Sequence, residues 1–229
     1  MDTILHPIIT TLFAGLSGLY HMTSDWGFAI ILLTLLVRVL LFPFNLRTAR
    51  QQLRQSSMQP VLAELKQKFA QDQARLLQET SKAYQQFGVK PLSLIAVSLI
   101  QAPLFLSLYR VFSTHGAAMT SHLVPWMSSL GAGDPFHLVP LLYAVVTFIS
   151  MIVPLTSEIA VTGSWVSRMT LPLIMVMIMS AVMWSAPVAI GLYWMTNSLF
   201  AIVERGFYRT PIGRRWVTHG FSSENAASA

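Results

Sequence analysis

The feature that most constrains the fold is a long apolar stretch with a single charge in it. The stretch "LLTLLVRVLLFPF" runs from Leu32 to Phe44, and Arg38 is its only charged residue. Between Phe28 and Phe44 the sequence holds no other ionisable side chain. At a rise of about 1.5 Å per residue, a helix of this length nearly crosses the hydrocarbon core of a bilayer. The pattern predicts a membrane-spanning helix with an arginine near its middle.

The composition supports an integral membrane protein built from helices. Of the residues, 54% are hydrophobic and 10% are charged, whereas a soluble domain carries about 25% charged residues. The apolar runs are long enough for helical spans rather than barrel strands. The chain contains no cysteine, which excludes disulfides, thiol catalysis, cysteine zinc sites and a lipidated N-terminal cysteine.

Five stretches are predicted to span the membrane. They lie at about Trp26–Leu46, Pro91–Phe112, Phe136–Leu155, Met169–Trp184 and Pro187–Phe207. The predicted fold class is therefore an all-α integral membrane protein with five transmembrane helices.

The distribution of Lys and Arg predicts the orientation of the chain. Eight basic residues lie between the first two predicted spans, and they are Arg47, Arg50, Arg54, Lys66, Lys68, Arg75, Lys82 and Lys90. The segment before Arg38 and the segment 111–135 hold none. Because basic loops stay in the cytosol, the N-terminus is predicted outside and the C-terminus inside, which agrees with an odd number of spans.

Three further segments complete the predicted organisation. Residues 1–23 have apolar residues at helical spacing, which favours an interfacial amphipathic helix, with a short extra span as the alternative. Residues 24–208 form the five-helix core, and within it residues 51–90 are predicted to form a cytosolic antiparallel helical hairpin that ends at Gly88 and Pro91. Residues 209–229 are predicted to be a short basic cytosolic tail.

Signatures of common chemistry are missing from the sequence. There is no glycine-rich phosphate loop with a lysine and no HExxH. The six histidines have no ligand spacing, and the methionines at 175, 177, 179 and 183 are better interpreted as packing than as a copper stripe. No RNA-binding motif is present. We therefore expect no metal, no cofactor, no enzymatic reaction and no recognition of a nucleic-acid sequence.

Arg38 is the strongest candidate for a functional residue, because a charge near the middle of a membrane helix is costly. No Asp or Glu lies within the predicted spans to neutralise it, apart from Glu204 near the end of the fifth. In one interpretation, Gln101, Asn197 and backbone carbonyls hold Arg38 as a buried clamp. In the other, Arg38 stands in a hydrated cavity and binds a transient anion. Both interpretations are open from the residues alone.

Several stretches resemble a known family. They are "WGFAIILLTLLVRVLLFPFNLR" (Trp26–Arg47), "MQPVLAELKQKF" (Met58–Phe69), "YQQFGVKPL" (Tyr84–Leu92), "LIQAPLFLSLYRVF" (Leu99–Phe112) and "GLYWMTNSLFAIVE" (Gly191–Glu204). Together the chain resembles the YidC/Oxa family of membrane protein insertases from about Trp26 to Tyr208. It departs from the family at Lys90–Ser93, where a Gly-Gly pair is common, and it resembles the bacterial short form without a large periplasmic domain.

The resemblance implies a function. A hydrophilic groove open to the cytosol would receive hydrophobic segments of newly made proteins and release them into the bilayer, without ATP. The implied site residues are Arg38, Thr34, Gln101, Trp194 and Asn197. The implied partners are nascent membrane-protein substrates, the lipid bilayer and, through the hairpin and the tail, the ribosome and the Sec translocon. The implied location is the bacterial plasma (inner) membrane. A small anion channel or transporter that uses Arg38 as its anion site is the alternative.

Overall fold

Helices are the only regular secondary structure in the described part of the chain. In a computed structural model, the backbone is described for residues 2–89, 91–155 and 165–219, and side chains for 6–89, 102–155 and 169–219. These residues form one 3-10 turn (Gly116–Ala118) and nine α-helices, and no strand. The helices are α1 (Asp2–Thr23), α2 (Trp26–Leu40), α3 (Phe42–Lys68), α4 (Gln73–Gln86), α5 (Pro91–His115), α6 (Leu138–Ile152), α7 (Trp165–Met183), α8 (Val188–Arg209) and α9 (Pro211–Thr218). The predicted all-α class is confirmed.

The chain divides into two compact units. Unit 1 comprises Met1–Leu41, Leu99–Val153 and Trp165–Val203. Unit 2 comprises Phe42–Ser98, Pro154–Ser164 and Glu204–Ala229. In unit 1, α1 packs on α2 and α6 packs on α7. Its largest apolar cluster takes buried side chains from α1, α2, α5, α6 and α8, among them Leu16, Ile30, Phe112, Val139 and Tyr193.

The first predicted span is broken near its end. Hydropathy predicted one helix over Trp26–Leu46, but α2 ends at Leu40 and α3 begins at Phe42. The N–H of Leu41 still donates to the carbonyl oxygen of Val37 at 2.9 Å. Pro43 has no N–H to continue the ladder, and its ring crowds the preceding turn. The expectation of one uninterrupted helix was therefore wrong, because hydropathy measures burial in lipid and not helix continuity.

The number of spans stays a prediction. Among the described helices, none taken alone combines the length and the apolar character that a crossing requires, whereas α2 and α3 reach both as a bent pair. Helix α6 and the part of α7 from Met169 to Met183 are apolar but shorter. Helices α5, α6, α7 and α8 nevertheless coincide with the second to fifth predicted stretches to within a few residues.

The predicted hairpin forms in unit 2 from α3 and α4. Its own small apolar cluster contains Met58, Ala83, Phe87 and Val89. Asp72 caps α4 by accepting a hydrogen bond from the N–H of Arg75 at 3.0 Å. Gly88 has a φ of +60°, and the N–H of Val89 donates to the carbonyl oxygen of Tyr84 at 2.9 Å. This is the left-handed glycine cap that the sequence predicted at Gly88.

The predicted tail begins with a helix that the sequence analysis missed. Helix α9 starts at a cap in which the N–H of Gly213 donates to the hydroxyl of Thr210 at 3.2 Å. Pro211 occupies the first helical position, where a missing N–H costs nothing. Val217 is buried with Ala49, Leu53 and Tyr208. The sequence analysis predicted a short basic tail over 209–229, and the described part of that segment contains α9.

Candidate functional site

Arg38 lies partly buried on α2 and bonds to α8. Its Nε donates to the side-chain oxygen of Asn197 at 2.5 Å. Its guanidinium carbon lies 5.8 Å from the centre of the Phe200 ring, within the range of a cation–π contact. Asn197 and Phe200 are three residues apart and therefore share one face of α8. The guanidinium is therefore contacted by two side chains on consecutive turns of α8, the amide of Asn197 and the ring of Phe200.

The orientation of the Asn197 amide is itself fixed. Its nitrogen donates to the carbonyl oxygen of Tyr193, one turn earlier, at 2.9 Å. Because the amide nitrogen is used within α8, the amide oxygen points toward Arg38. That oxygen carries no formal charge, so this bond joins a cationic donor to a neutral acceptor.

Thr34 lies one turn from Arg38 on α2, in a more apolar setting. Its hydroxyl donates to the carbonyl oxygen of Ile30 at 2.7 Å. It borders a cavity of about 10 Å³ whose other walls are apolar or aromatic side chains, including Leu108, Phe112 and Tyr193. A cavity of this size holds about one water molecule. In this structure the hydroxyl of Thr34 is satisfied within its own helix.

Trp194 is part of an aromatic cluster. Its ring centre lies 5.3 Å from that of Phe105 on α5 and 5.5 Å from that of Tyr143 on α6. The three rings join α5, α6 and α8. The fifth predicted residue, Gln101, belongs to α5 by its backbone, but its side chain lies outside the described residues. The structure therefore brings Arg38 and Asn197 into contact. Thr34 on α2 and Trp194 on α8 lie instead among apolar and aromatic side chains.

The sequence analysis missed two neighbours of the site. Phe200 was not considered, although it lies three residues after Asn197 and so on its face. Ser198 was not considered either, although its hydroxyl lies 2.8 Å from that of Thr147 and links α6 to α8. The polar run "TNS" at 196–198, inside an otherwise apolar stretch, was the available signal for Ser198.

A second charged site lies where α2 meets the α5–α6 connection, which we define as residues 116–137. The carboxylate of Asp25, which is 3% exposed, accepts hydrogen bonds from the hydroxyl of Ser121 at 2.7 Å and from the N–H of His122 at 2.6 Å. It also accepts from the N–H of Phe28, as the cap of α2, at 3.0 Å. Burial alone would raise the pKa of Asp25, but these bonds outweigh it and lower the pKa.

Asp134 organises the other end of the connection. Its carboxylate, also 3% exposed, accepts from the indole N–H of Trp126 at 3.0 Å and from the backbone N–H groups of Phe136 at 3.0 Å and Val139 at 2.8 Å. Burial again opposes these bonds, and again the bonds lower the pKa of the carboxyl below its ordinary value. Neither aspartate was a candidate in the sequence analysis. Two of the donors to Asp25 lie about a hundred residues away, whereas the donors to Asp134 lie within eight residues of it.

Two parts of the connection approach each other closely, and its carbonyl oxygens cap the start of α8. A side chain could not stand at Gly116, because its Cβ would lie 2.7 Å from the Cα of Gly131. Carbonyl oxygens of Ala132 and Leu130 accept from the N–H groups of Val188 and Ala189 at the start of α8, at 2.9 and 3.0 Å. These bonds satisfy donors that a helix start otherwise leaves without partners. The α5–α6 connection is therefore a fixed part of unit 1.

Within the described residues, no three His, Asp or Glu side chains are grouped so that they could hold a metal ion. The chemistry that the geometry offers is hydrogen bonding and charge: an all-helical bundle holds one arginine between α2 and α8 and two saturated carboxylates at the α5–α6 connection.

Comparison with known proteins identifies the family. A family model described as "60Kd inner membrane protein" matches residues 18–214. The chain belongs to this family, and the resemblance to the YidC/Oxa family is confirmed. A relative from Caldanaerobacter subterraneus subsp. tengcongensis, named membrane protein insertase YidC, is 29% identical over 83% of this chain and 88% of its own length.

Other relatives are longer than this chain. Membrane protein insertase YidC of Dechloromonas aromatica is 25% identical over 88% of this chain, which spans only 36% of that relative. A solved structure described as an active YidC insertase with its first transmembrane domain resolved superposes with a TM-score of 0.65 at 26% identity. The superposition covers 91% of this chain and 47% of the solved chain. This chain thus spans less than half of that longer relative and of that solved chain.

Proposed function

We propose that this chain is a membrane protein insertase of the bacterial inner membrane, which uses Arg38 to hold a polar segment of its substrate. Membership of the family and the names of its relatives support the proposal. The observation that carries it is the bond from Arg38 to the neutral oxygen of Asn197. The bond gives the guanidinium an uncharged acceptor on α8, and a substrate carboxylate would compete with that acceptor for the same N–H.

We propose that Arg38 exchanges its bond to Asn197 for a bond to the substrate. A carboxylate on a substrate tail forms a shorter and stronger charge-assisted bond to a guanidinium than an amide does. Such a carboxylate would displace the Asn197 oxygen. When the tail moves on, Asn197, whose nitrogen remains bonded to Tyr193, would take Arg38 back. Arg38 would therefore never face the bilayer without an acceptor, and the substrate would not be held permanently.

We assign the remaining steps to a groove and to the lipid. Thr34, Gln101, Trp194 and Asn197 are proposed to line the groove beside Arg38, which water would enter from the cytosol. Transfer of a roughly 20-residue apolar segment into the bilayer supplies the driving force, so the step needs neither ATP nor a covalent intermediate.

The proposed topology has the N-terminus outside and the C-terminus in the cytosol. This orientation places α3, α4 and α9, together with their arginines and lysines, on the cytosolic side. There the hairpin and the tail would meet the ribosome or the Sec translocon, and α1 would lie in the opposite interface.

The test is insertion by the full chain in proteoliposomes. The substrate is a single-span protein with an acidic N-terminal tail, and a matched substrate carries a neutral tail. We expect Arg38→Lys to retain much of the insertion of the acidic substrate and Arg38→Glu to lose nearly all of it. Arg75→Ala is the matched control, because Arg75 is an exposed arginine of the hairpin that pairs with the neighbouring Asp72.

Two results would contradict the proposal. If Arg38→Ala, Arg38→Lys and Arg38→Glu all insert the acidic substrate normally, Arg38 has no such role. If the wild-type chain conducts chloride across the vesicle membrane and does not insert the substrate, the protein is an anion channel instead.

A further inference from the structure

Helix α9 is held in place at one face and leaves an apolar face open. Gly213 permits the tight corner between α8 and α9, because a Cβ there would lie 2.1 Å from the carbonyl oxygen of Phe207. Val217, four residues later and on the same face, is buried against Tyr208 and Leu53. The Nε of Arg50 donates to the carbonyl oxygen of Trp216 at 3.0 Å. Packing, corner and hydrogen bond together fix which face of α9 points outward.

The outward face carries two large apolar side chains. Ile212 is 63% exposed and Trp216 is 46% exposed, and their spacing of four residues puts them side by side. The indole of Trp216 is oriented by its neighbours, with its ring centre 5.6 Å from that of Phe207 and 6.1 Å from that of Phe42. The tryptophan is thus anchored at one edge and open at the other.

The same segment carries cations. From Gly206 to His219 the sequence contains three arginines, Arg209, Arg214 and Arg215, and no Asp or Glu. Arg209 donates to the carbonyl oxygen of Pro154 at 3.0 Å, whereas Arg215 is exposed on the far side of α9 from Gly213. A short helix that combines exposed Trp and Ile with exposed arginines has the composition of an interfacial helix.

We propose that α9 is a binding surface for anionic phospholipid headgroups, with Ile212 and Trp216 inserted at the level of the headgroups. Anionic lipid fits the arginines by charge, and the interface is the region in which tryptophan is enriched. A nucleic acid would match the arginines equally well but offers no apolar layer for Ile212. The inference needs only that the chain lies in a membrane and goes beyond the proposed insertion activity, which its failure would leave untouched.

The test places one label on α9. Because the chain has no cysteine, Ile212→Cys in the full chain carries a single polarity-sensitive fluorophore. The protein is placed in nanodiscs of phosphatidylcholine alone or with increasing phosphatidylglycerol. Quenching is measured with a lipid that carries a nitroxide on a shallow acyl carbon and with soluble acrylamide. We expect phosphatidylglycerol to raise quenching by the lipid and to lower quenching by acrylamide.

Charge variants and a matched label complete the design. In the labelled chain, Arg215→Gln should weaken the apparent association with phosphatidylglycerol about five-fold, and Arg215→Lys should restore it. A label at Leu77→Cys, an exposed leucine of α4, should not respond to phosphatidylglycerol. Circular dichroism of Arg215→Gln checks that the exposed substitution leaves the helices intact.

Two outcomes would overturn the inference. One is equal acrylamide quenching at position 212 with and without phosphatidylglycerol. The other is protection of the label by added RNA at concentrations at which anionic lipid gives none, which would assign the surface to nucleic acid.

Discussion

Unit 1 contains two kinds of charged site, and they are built in opposite ways. At the α5–α6 connection, the carboxylates of Asp25 and Asp134 each accept three hydrogen bonds from fixed donors of the fold. On α2, Arg38 bonds to a neutral side-chain amide and lies near an aromatic ring. The donors to the aspartates are mostly backbone N–H groups, whereas the acceptor that Asn197 offers to Arg38 is a neutral side-chain oxygen.

This difference between the two kinds of site indicates a structural role for the aspartates and a functional role for Arg38. A carboxylate saturated by backbone donors is already in its best environment, and its pKa falls for that reason. A guanidinium that bonds to a neutral amide still gains from meeting an anion. We therefore expect changes at the aspartates to act on stability, and changes at Arg38 and Asn197 to act on insertion.

The largest expected effect is on stability, at Asp134. Asp134→Ala removes the acceptor of the partly buried indole N–H of Trp126, of the partly buried N–H of Phe136 and of the buried N–H of Val139. We expect the free energy of unfolding to fall by about 3 kcal/mol. The measurement is denaturant unfolding in detergent, followed by circular dichroism. Asp72→Ala, which removes the exposed cap of α4 and its surface ion pair with Arg75, should cost about 1 kcal/mol. Equal losses in the two variants would refute the distinction.

Next in size is the effect of Arg38 on activity. Arg38→Ala should slow insertion of the acidic-tailed substrate at least about ten-fold, because hydrogen bonds between charged groups contribute about 1.5–3 kcal/mol. Its free energy of unfolding should change by less than that of Asp134→Ala, since it leaves behind a neutral amide. A variant that inserts normally but unfolds easily would make Arg38 a structural clamp.

A third substitution makes the arginine site resemble the aspartate sites. Asn197→Asp gives Arg38 a resident carboxylate, which a substrate must then displace. We expect insertion of the acidic-tailed substrate to fall about five-fold, equivalent to about 1 kcal/mol of competition. Asn197→Gln, which keeps a neutral amide, is the control. Faster insertion by Asn197→Asp would show that the charge of Arg38 hinders the substrate.

The smallest expected effect is the pH dependence of stability. Because hydrogen bonds hold the pKa values of Asp25 and Asp134 below the ordinary 3.8, the folded state binds protons less readily than the unfolded state. Their contribution is complete well above pH 4 and is lost as the pH falls through the folded-state pKa values. The melting temperature of the wild-type chain should therefore drop below about pH 4. The drop should be shallower in Asp25→Asn, and an equally steep drop in that variant would remove Asp25 as a cause.

Local sequence patterns were sufficient to predict much of the fold. The apolar runs indicated helices α5 to α8 because each is a single continuous helix, and the pattern "FGVKP" indicated the cap at Gly88 because glycine tolerates positive φ. The break at Leu41 and helix α9 were not predicted. Pro43 and the Thr210–Pro211 pair were local signals for them, but hydropathy and charge outweighed both.

The site was only partly predictable for a different reason. Arg38 and Asn197 were recognised as polar residues inside apolar helices, and their bond is the contact that one interpretation required. Phe200 and the Asp25 site depend on which elements face each other, and a single sequence does not contain that information. The donors to Asp134 lie within eight residues of it, but no pattern in the sequence singled them out. The roles of Thr34, Gln101 and Trp194 in a groove stay predictions.

The contact between Gly116 and Gly131 has a consequence for genetics. A Cβ at either position would meet backbone atoms of the other, at distances from 2.7 Å. A clash between two side chains can be relieved by substituting a smaller residue for one of them. A clash with backbone atoms cannot be relieved in this way. We therefore expect a selection for suppressors of Gly116→Ala to yield none at position 131. Any suppressors should instead be global stabilisers elsewhere in the chain.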